Sequence, residues 1–294
     1  MPLNLLRIVA AAAGLALAAH GALAQPKQLP SAELTEPMLY EFLLGEIALQ
    51  RGDTELAART YLDLARRTRD ARVARRAVEI ANQARTPQLA LEAARLWQQL
   101  DPDSSHALQG LTALLVTNRQ VDEALPYLEK LLASSGVSLE NGFMQMNRLL
   151  AGNPDKAANL RVVRRLAAKH PQLAQAHFAV AQAAAAAGDD AAALEAIRRA
   201  AALRPDWELA ALLEAQIVQK RSPAMAAKVL GDFVQRNPGS REARLNYARA
   251  LVLDRRIPEA REQFEAVLAA NPGNPEVIYA VGLLAFQLKD YAVA

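Results

Sequence analysis

Residues 174–206 read AQAHFAVAQAAAAAGDDAAALEAIRRAAALRPD, and the architecture follows from this stretch. A first apolar-periodic helix ends at Gly188-Asp189-Asp190, and a second runs from about Ala191 to Leu203. Pro205 stops the second helix, because proline lacks the amide proton and its ring clashes with the preceding turn. Small residues stand where the two helices must approach closely: Ala181, Ala193 and Ala200. Val180, Leu194, Ile197 and Leu203 fill the space between them. One such hairpin cannot bury its apolar face alone, so it needs a neighbour of the same kind.

The chain supplies neighbours on both sides. Alanines in the matching slot fall at Ala57, Ala90, Ala124, Ala157, Ala193, Ala226, Ala260 and Ala294, in steps of 33, 34, 33, 36, 33, 34 and 34 residues. Ala157 is the poorly registered member. Prolines recur after the second helix at Pro102, Pro205, Pro238 and Pro272. A period near 34, with small residues at the crossing and proline at the end, is the pattern of the tetratricopeptide repeat.

On these residues the chain resembles the tetratricopeptide repeat superfamily from about Met38 onward. The resemblance implies an all-α fold, a right-handed superhelical solenoid of about eight helix-turn-helix repeats spanning residues 37–294. Repeat four, about 137–170, departs most from the pattern, with Asn141, Gly142 and Asn147 early and Met144 and Met146 filling gaps. The last repeat is expected to be incomplete. It begins at Pro275 and stops at Ala294 with no polar capping helix, so the chain reads as a fragment of a longer repeat protein.

The amino-terminal residues form a separate module. Arg7 supplies positive charge, Ile8 to Ala19 is an unbroken apolar run, and Ala22-Leu23-Ala24 offers a small-x-small cleavage site. Residues 1–24 are therefore expected to be a signal peptide, and residues 25–36 a polar tether. Thr35 is the expected helix cap, with Pro37 in the first turn. Export to a bacterial periplasm follows from that reading. The chain has no cysteine, so neither a disulfide nor a lipid on cysteine is available to it. Association with the membrane is left open.

The net charge is only +3, too small for a strong nucleic-acid footprint, and export argues against such a partner as well. Arginines crowd residues 59–76, diluted by Asp63 and Asp70, and read either as a solvated helix face or as a surface for an anionic partner. No paired metal-ligand histidines, cysteine cluster or glycine-rich phosphate loop appears. His106, His170 and His177 lie on separate helices or at helix ends. The expectation is a binding protein, with no catalytic residues, no metal and no cofactor; an enzyme would need a catalytic domain beyond Ala294.

In the tetratricopeptide family the second, fifth, ninth and twelfth residues of each repeat line a concave groove. Those slots carry over to Arg72, Arg75, Glu79 and Asn82 in repeat two, and to His106, Gln109 and Val116 in repeat three. Repeat five gives Phe178 and Gln182, repeat seven Leu245 and Arg249, and repeat eight Tyr279 and Phe286. The basic set with which co-chaperone members clamp a terminal carboxylate is not reproduced here. A mixed polar and aromatic groove suits an extended or helical protein segment.

The opening of the mature chain, LPSAELTEPMLYEFLLGEIALQRGDTELAARTYLDLARRTRDARVARRAVEIA, resembles a proteobacterial envelope family of long tetratricopeptide adaptors. Membership implies a non-enzymatic periplasmic scaffold that brings a carboxyl-terminal processing protease to cell-wall hydrolase substrates. The alternative within the same fold is an assembly factor for an envelope machine, such as a pilus, a secretin or a polysaccharide exporter.

Overall fold

Helix starts in this chain are written by short polar side chains. The computed structural model describes residues 35–134 and 138–290, so the segment read as a signal peptide, most of the tether, and residues 135–137 and 291–294 lie outside the described residues. Fifteen α-helices follow one another with no strand among the described residues. The first helices of the hairpins are α1 (Glu36–Gln50), α3 (Ala71–Gln83), α5 (Ser105–Thr117), α7 (Leu139–Leu149), α9 (Ala174–Ala186), α11 (Glu208–Gln219), α13 (Arg241–Leu253) and α15 (Pro275–Gln287). Their partners are α2 (Thr54–Thr68), α4 (Pro87–Leu100), α6 (Val121–Ala133), α8 (Lys156–Ala167), α10 (Asp190–Leu203), α12 (Pro223–Arg236) and α14 (Ile257–Ala270). Apart from α7 and α8, consecutive helices pack on one another, which makes an all-α solenoid of stacked hairpins.

Thr35, Asp53, Asp70, Ser104, Ser138, Asp155, Asp189, Ser222 and Asn274 all accept a backbone amide in the first turn that follows them. Each such cap is worth about 1 kcal/mol. Ser240 makes no cap of its own; instead Glu208, from the preceding repeat, takes the Ser240 hydroxyl and the Ala243 amide at 3.1 Å. A carboxylate on α11 thus fixes the start of α13.

The turn inside the hairpin repeats six times in one geometry. Gly52, Arg85, Arg119, Gly188, Arg255 and Lys289 adopt positive φ. The next residue then donates its amide to a carbonyl five positions back, as Asp53 does to Ala48 at 2.9 Å and Gln120 to Leu115 at 2.8 Å. This is the left-handed cap that satisfies the last carbonyls of a helix. Glycine takes the conformation without penalty, whereas the four basic residues hold it against a steric cost.

The second-helix caps set the true register: Asp53, Thr86, Gln120, Asp155, Asp189, Ser222 and Arg256. The fourth residue after each stands at the helix crossing, and six of the seven are fully buried alanines: Ala57, Ala90, Ala124, Ala193, Ala226 and Ala260. The seventh is Asn159. Ala157, which the spacing of alanines places in that slot, is exposed. Asn159 donates to the Leu150 carbonyl at 2.9 Å and accepts from the Asn153 side chain at 2.8 Å, so a polar pair replaces the apolar crossing.

Around it the fourth hairpin is the most open. A 3-10 turn (Leu150–Gly152) follows α7, and α7 packs on α9 and α6 rather than closely on α8. Asn147 ties α7 to α9 through the Ala179 carbonyl and the Gln182 side chain, both at 3.0 Å. Phe143 and Met146 are fully buried there, and Met144 is half-buried against the core. Pro126 lies inside α6, past the first turn where proline is best tolerated. It is exposed, so water can serve the carbonyl left without its amide.

One continuous hydrophobic core runs from Ala48 to α11, and a second runs from α11 to Leu284. Leu194 borders both.

The arginine run resolves into ion pairs on the helix surface. Arg66 meets Asp63 and Glu92, Arg67 meets Glu41, Arg72 meets Asp70, and Arg75 and Arg76 share Glu79. Exposed pairs of this kind each contribute about 0–1 kcal/mol.

Tyr61, packed against Gly45 in the first hairpin, donates its hydroxyl to Glu46. Burial and then that hydrogen bond push the Tyr61 hydroxyl up to about 12. The folded state therefore favours the neutral phenol. Its contribution to stability is complete below the ordinary tyrosine range near pH 10 and is lost as the pH rises toward 12. An alkaline titration of phenolate absorbance should show one late-titrating tyrosine that the Tyr61→Phe variant lacks. A variant with an unchanged titration would contradict this account.

Candidate functional site: the concave groove

The first helices of repeats five to seven, α9, α11 and α13, line a groove of about 540 Å³. Its floor is apolar, built from Phe178, Leu209, Leu212, Leu213 and Leu253. Phe178 is held by Trp207, whose ring lies 4.7 Å away, and Trp207 is itself covered by the Arg204 guanidinium at 5.0 Å. Along the rim stand four carboxamides, Gln182, Gln216, Gln219 and Asn246.

The electrostatics of this groove are quiet. Arg249 is engaged by Glu276 at 2.7 Å, and Glu242 accepts the Asn246 amide at 2.9 Å. Gln182 uses its oxygen on Asn147 and keeps its amide hydrogens, Asn246 keeps its oxygen, and Gln216 and Gln219 engage no described residue. What remains is a row of donors and acceptors beside apolar side chains, with the Glu242 carboxylate answered by a neutral amide and, among the described residues, by no cation. Such a surface matches a peptide backbone, which presents one donor and one acceptor per residue.

The structure brings only three of the sequence-derived groove residues together: Phe178, Gln182 and Arg249. Asn82 borders a separate cleft with Arg85 and Thr117, and Gln109 another with Met146 and Leu149. Arg72, Arg75 and Glu79 are spent on the ion pairs of α2 and α3. His106 is exposed at the start of α5, whereas Val116 is buried and Leu245 half-buried against the second core. Tyr279 and Phe286 are 72% and 62% exposed on α15, away from the groove. Among the described residues no cluster of histidine and carboxylate could hold a metal, and no helix is long and apolar enough to cross a membrane.

The middle helix of the groove escapes a count made from the alanines. In repeat six the two helix caps, Trp207 and Ser222, are one residue closer than the pairs Leu173 and Asp189 or Ser240 and Arg256. Counting back from Ala226 lands on Ala211, Ala215 and Val218, which are buried. Counting forward from Trp207 lands on Leu209, Leu212, Gln216 and Gln219. The start of the helix, marked by Pro205-Asp206, was the usable signal.

Tetratricopeptide-repeat family models match residues 42–105 and 218–292. The chain carries tetratricopeptide repeats. A TPR repeat-containing protein of Pseudomonas aeruginosa is 28% identical over 227 residues, 76% of this chain and 38% of the relative. The tetratricopeptide chain thus spans about two fifths of the length of that relative. Among solved structures, the carboxyl-terminal part of a TPR repeat-containing protein from Cytophaga hutchinsonii aligns at a TM-score of 0.46 and 12% identity, covering 83% of this chain and 99% of that one. A MamA structure from Desulfovibrio magneticus aligns at 0.43 and 16%, covering 53% of this chain and 89% of that one. Repeats of this family mediate protein–protein contacts, and the groove across α9, α11 and α13 is the tetratricopeptide surface best equipped here for one.

Proposed function

We propose that this tetratricopeptide chain is a non-enzymatic scaffold whose groove captures an extended protein segment with apolar side chains. The observation that carries the reading is the row of carboxamides with unused donors and acceptors beside Leu209, Leu212 and Leu253. An extended peptide laid there would exchange backbone hydrogen bonds with the glutamines and bury its apolar side chains below. A terminal carboxylate would find no unpaired cation.

The setting proposed is the periplasm. The apolar run Ile8–Ala19 and the Ala22-Leu23-Ala24 site support export. The resemblance of the mature amino terminus to the envelope adaptors supports a partner of the processing-protease kind, brought together with its hydrolase substrates.

Affinity capture from periplasmic extract tests both statements. The bait is the full chain tagged at its carboxyl end, compared with a Leu209→Asp/Gln216→Ala double variant. Leu209 is largely exposed, so the change leaves the fold intact, which circular dichroism checks. The double variant should retain roughly a tenth or less of the partner, as the loss of two central contacts predicts. Undiminished recovery would overturn the groove assignment. Recovery of pilus or exporter components without a protease would overturn the adaptor reading and leave the groove in place.

A further inference from the structure

We propose that the edge of the solenoid formed by the turns inside the hairpins docks onto an anionic phospholipid surface. Stacking places all these turns on one edge, and six of them present a cation: Arg51, Arg85, Arg119, Arg221, Arg255 and Lys289. None of the six makes an ion pair or side-chain hydrogen bond with a described residue. The neighbouring carboxylates are all engaged. Asp53, Asp155 and Asp189 cap helices, Asp254 faces Arg256, and Asp290 pairs with Arg261 at 2.7 Å. Asp53 and Asp155 keep their charge while capping, but the six unpaired cations outnumber them and the net free charge of this edge is positive.

Four of these cations share a backbone conformation that Arg69 also adopts between hairpins. Arg85, Arg119, Arg255 and Lys289 occupy the left-handed slot that glycine fills at 52 and 188. Local stability favours glycine there, so the basic side chain is held against a conformational cost. The arginines within α2 and α3, by contrast, are all paired with carboxylates.

The arrangement fits a plane better than a compact ligand. Successive hairpins stand about 10 Å apart, so six turns distributed over eight hairpins cannot converge on one anion. Flexible, unpaired point charges along an edge are what an anionic bilayer attracts, each contributing independently. This edge is distinct from the groove, and the proposal does not depend on what the groove binds.

Vesicle co-sedimentation of the full chain provides the test, with phosphatidylcholine vesicles made with and without phosphatidylglycerol. The edge variant is Arg85→Gly/Arg119→Gly/Arg255→Gly, in which glycine suits the backbone and folding is preserved. A control variant, Lys130→Gln/Arg165→Gln/Arg199→Gln, removes the same charge from exposed positions on α6, α8 and α10. The apolar segment 8–19 is common to all three proteins, so differences between them read the turns alone. The expected result is salt-sensitive binding that requires phosphatidylglycerol, falls roughly a hundredfold in the edge variant, and is largely kept in the control. Equal losses in the two variants, or binding indifferent to phosphatidylglycerol, would overturn the proposal. So would retention on polyglutamate without any vesicle binding, which would make the partner an acidic polypeptide.

Discussion

Replacing Phe143 by alanine is expected to lower the stability of the fourth hairpin by about 3–5 kcal/mol. The ring is fully buried on α7 and meets His170 edge-on at a centroid distance of 5.5 Å. Helix α7 leans on α6 and α9 and gains little from α8, so few other contacts can close around the void. The removed side chain therefore costs its transfer energy and the cavity besides. In a solenoid each hairpin is stabilised by itself and by its neighbours, so the loss should appear as a local transition. Urea unfolding followed by circular dichroism should split into two steps, the earlier one absent from the parent. A shift below about 1 kcal/mol would mean that α7 and its neighbours can repack freely.

Asn159→Ala should also destabilise the hairpin, although alanine is what six other second helices carry at that position. A count of the repeat pattern alone would predict a gain. The structure predicts a loss of about 1–3 kcal/mol, because two buried hydrogen bonds go, while the Leu150 carbonyl keeps the Asn153 backbone amide and the Asn153 side chain keeps the Asp155 carbonyl. The partners lost are the Leu150 carbonyl, at the start of the 3-10 turn, and the Asn153 side chain. Asn153 is fully buried and cannot turn to water. A double-mutant cycle with Asn153→Ala separates the pair from its surroundings, with an expected coupling of about 1–2 kcal/mol. A neutral or stabilising Asn159→Ala would show that the crossing tolerates an apolar contact and that the polar pair is incidental.

The hairpins and their turns were legible because their signals are local. Gly188-Asp189 and Pro205 act within a residue or two of where they stand, and a buried alanine at the crossing repeats wherever the crossing does. What could not be read depended on registration between elements. The fourth repeat keeps its period while moving the crossing residue to Asn159, since Asn153 and Leu150 supply partners that only the folded turn assembles. Repeat six loses one residue between caps, which rotates α11 relative to a count from Ala226 and hides Leu209 and Gln216. The arginine run was ambiguous for the same reason. Glu41 and Glu92, which take up Arg67 and Arg66, lie 26 residues away from them in opposite directions along the chain.

The division of the hydrophobic core at α11 has a bearing on energy transfer along the solenoid. Two cores that share only a helix and Leu194 can open independently, so the chain is expected to behave as two cooperative blocks joined at repeat six. The groove lies across that joint, with Phe178 in the first block and Leu230 in the second. A segment bound there would act as a splint. Its binding energy would be added to the coupling between the blocks, so occupancy would make the solenoid stiffer and its unfolding more nearly all-or-none. Loading the groove would thereby be felt at both ends of the chain.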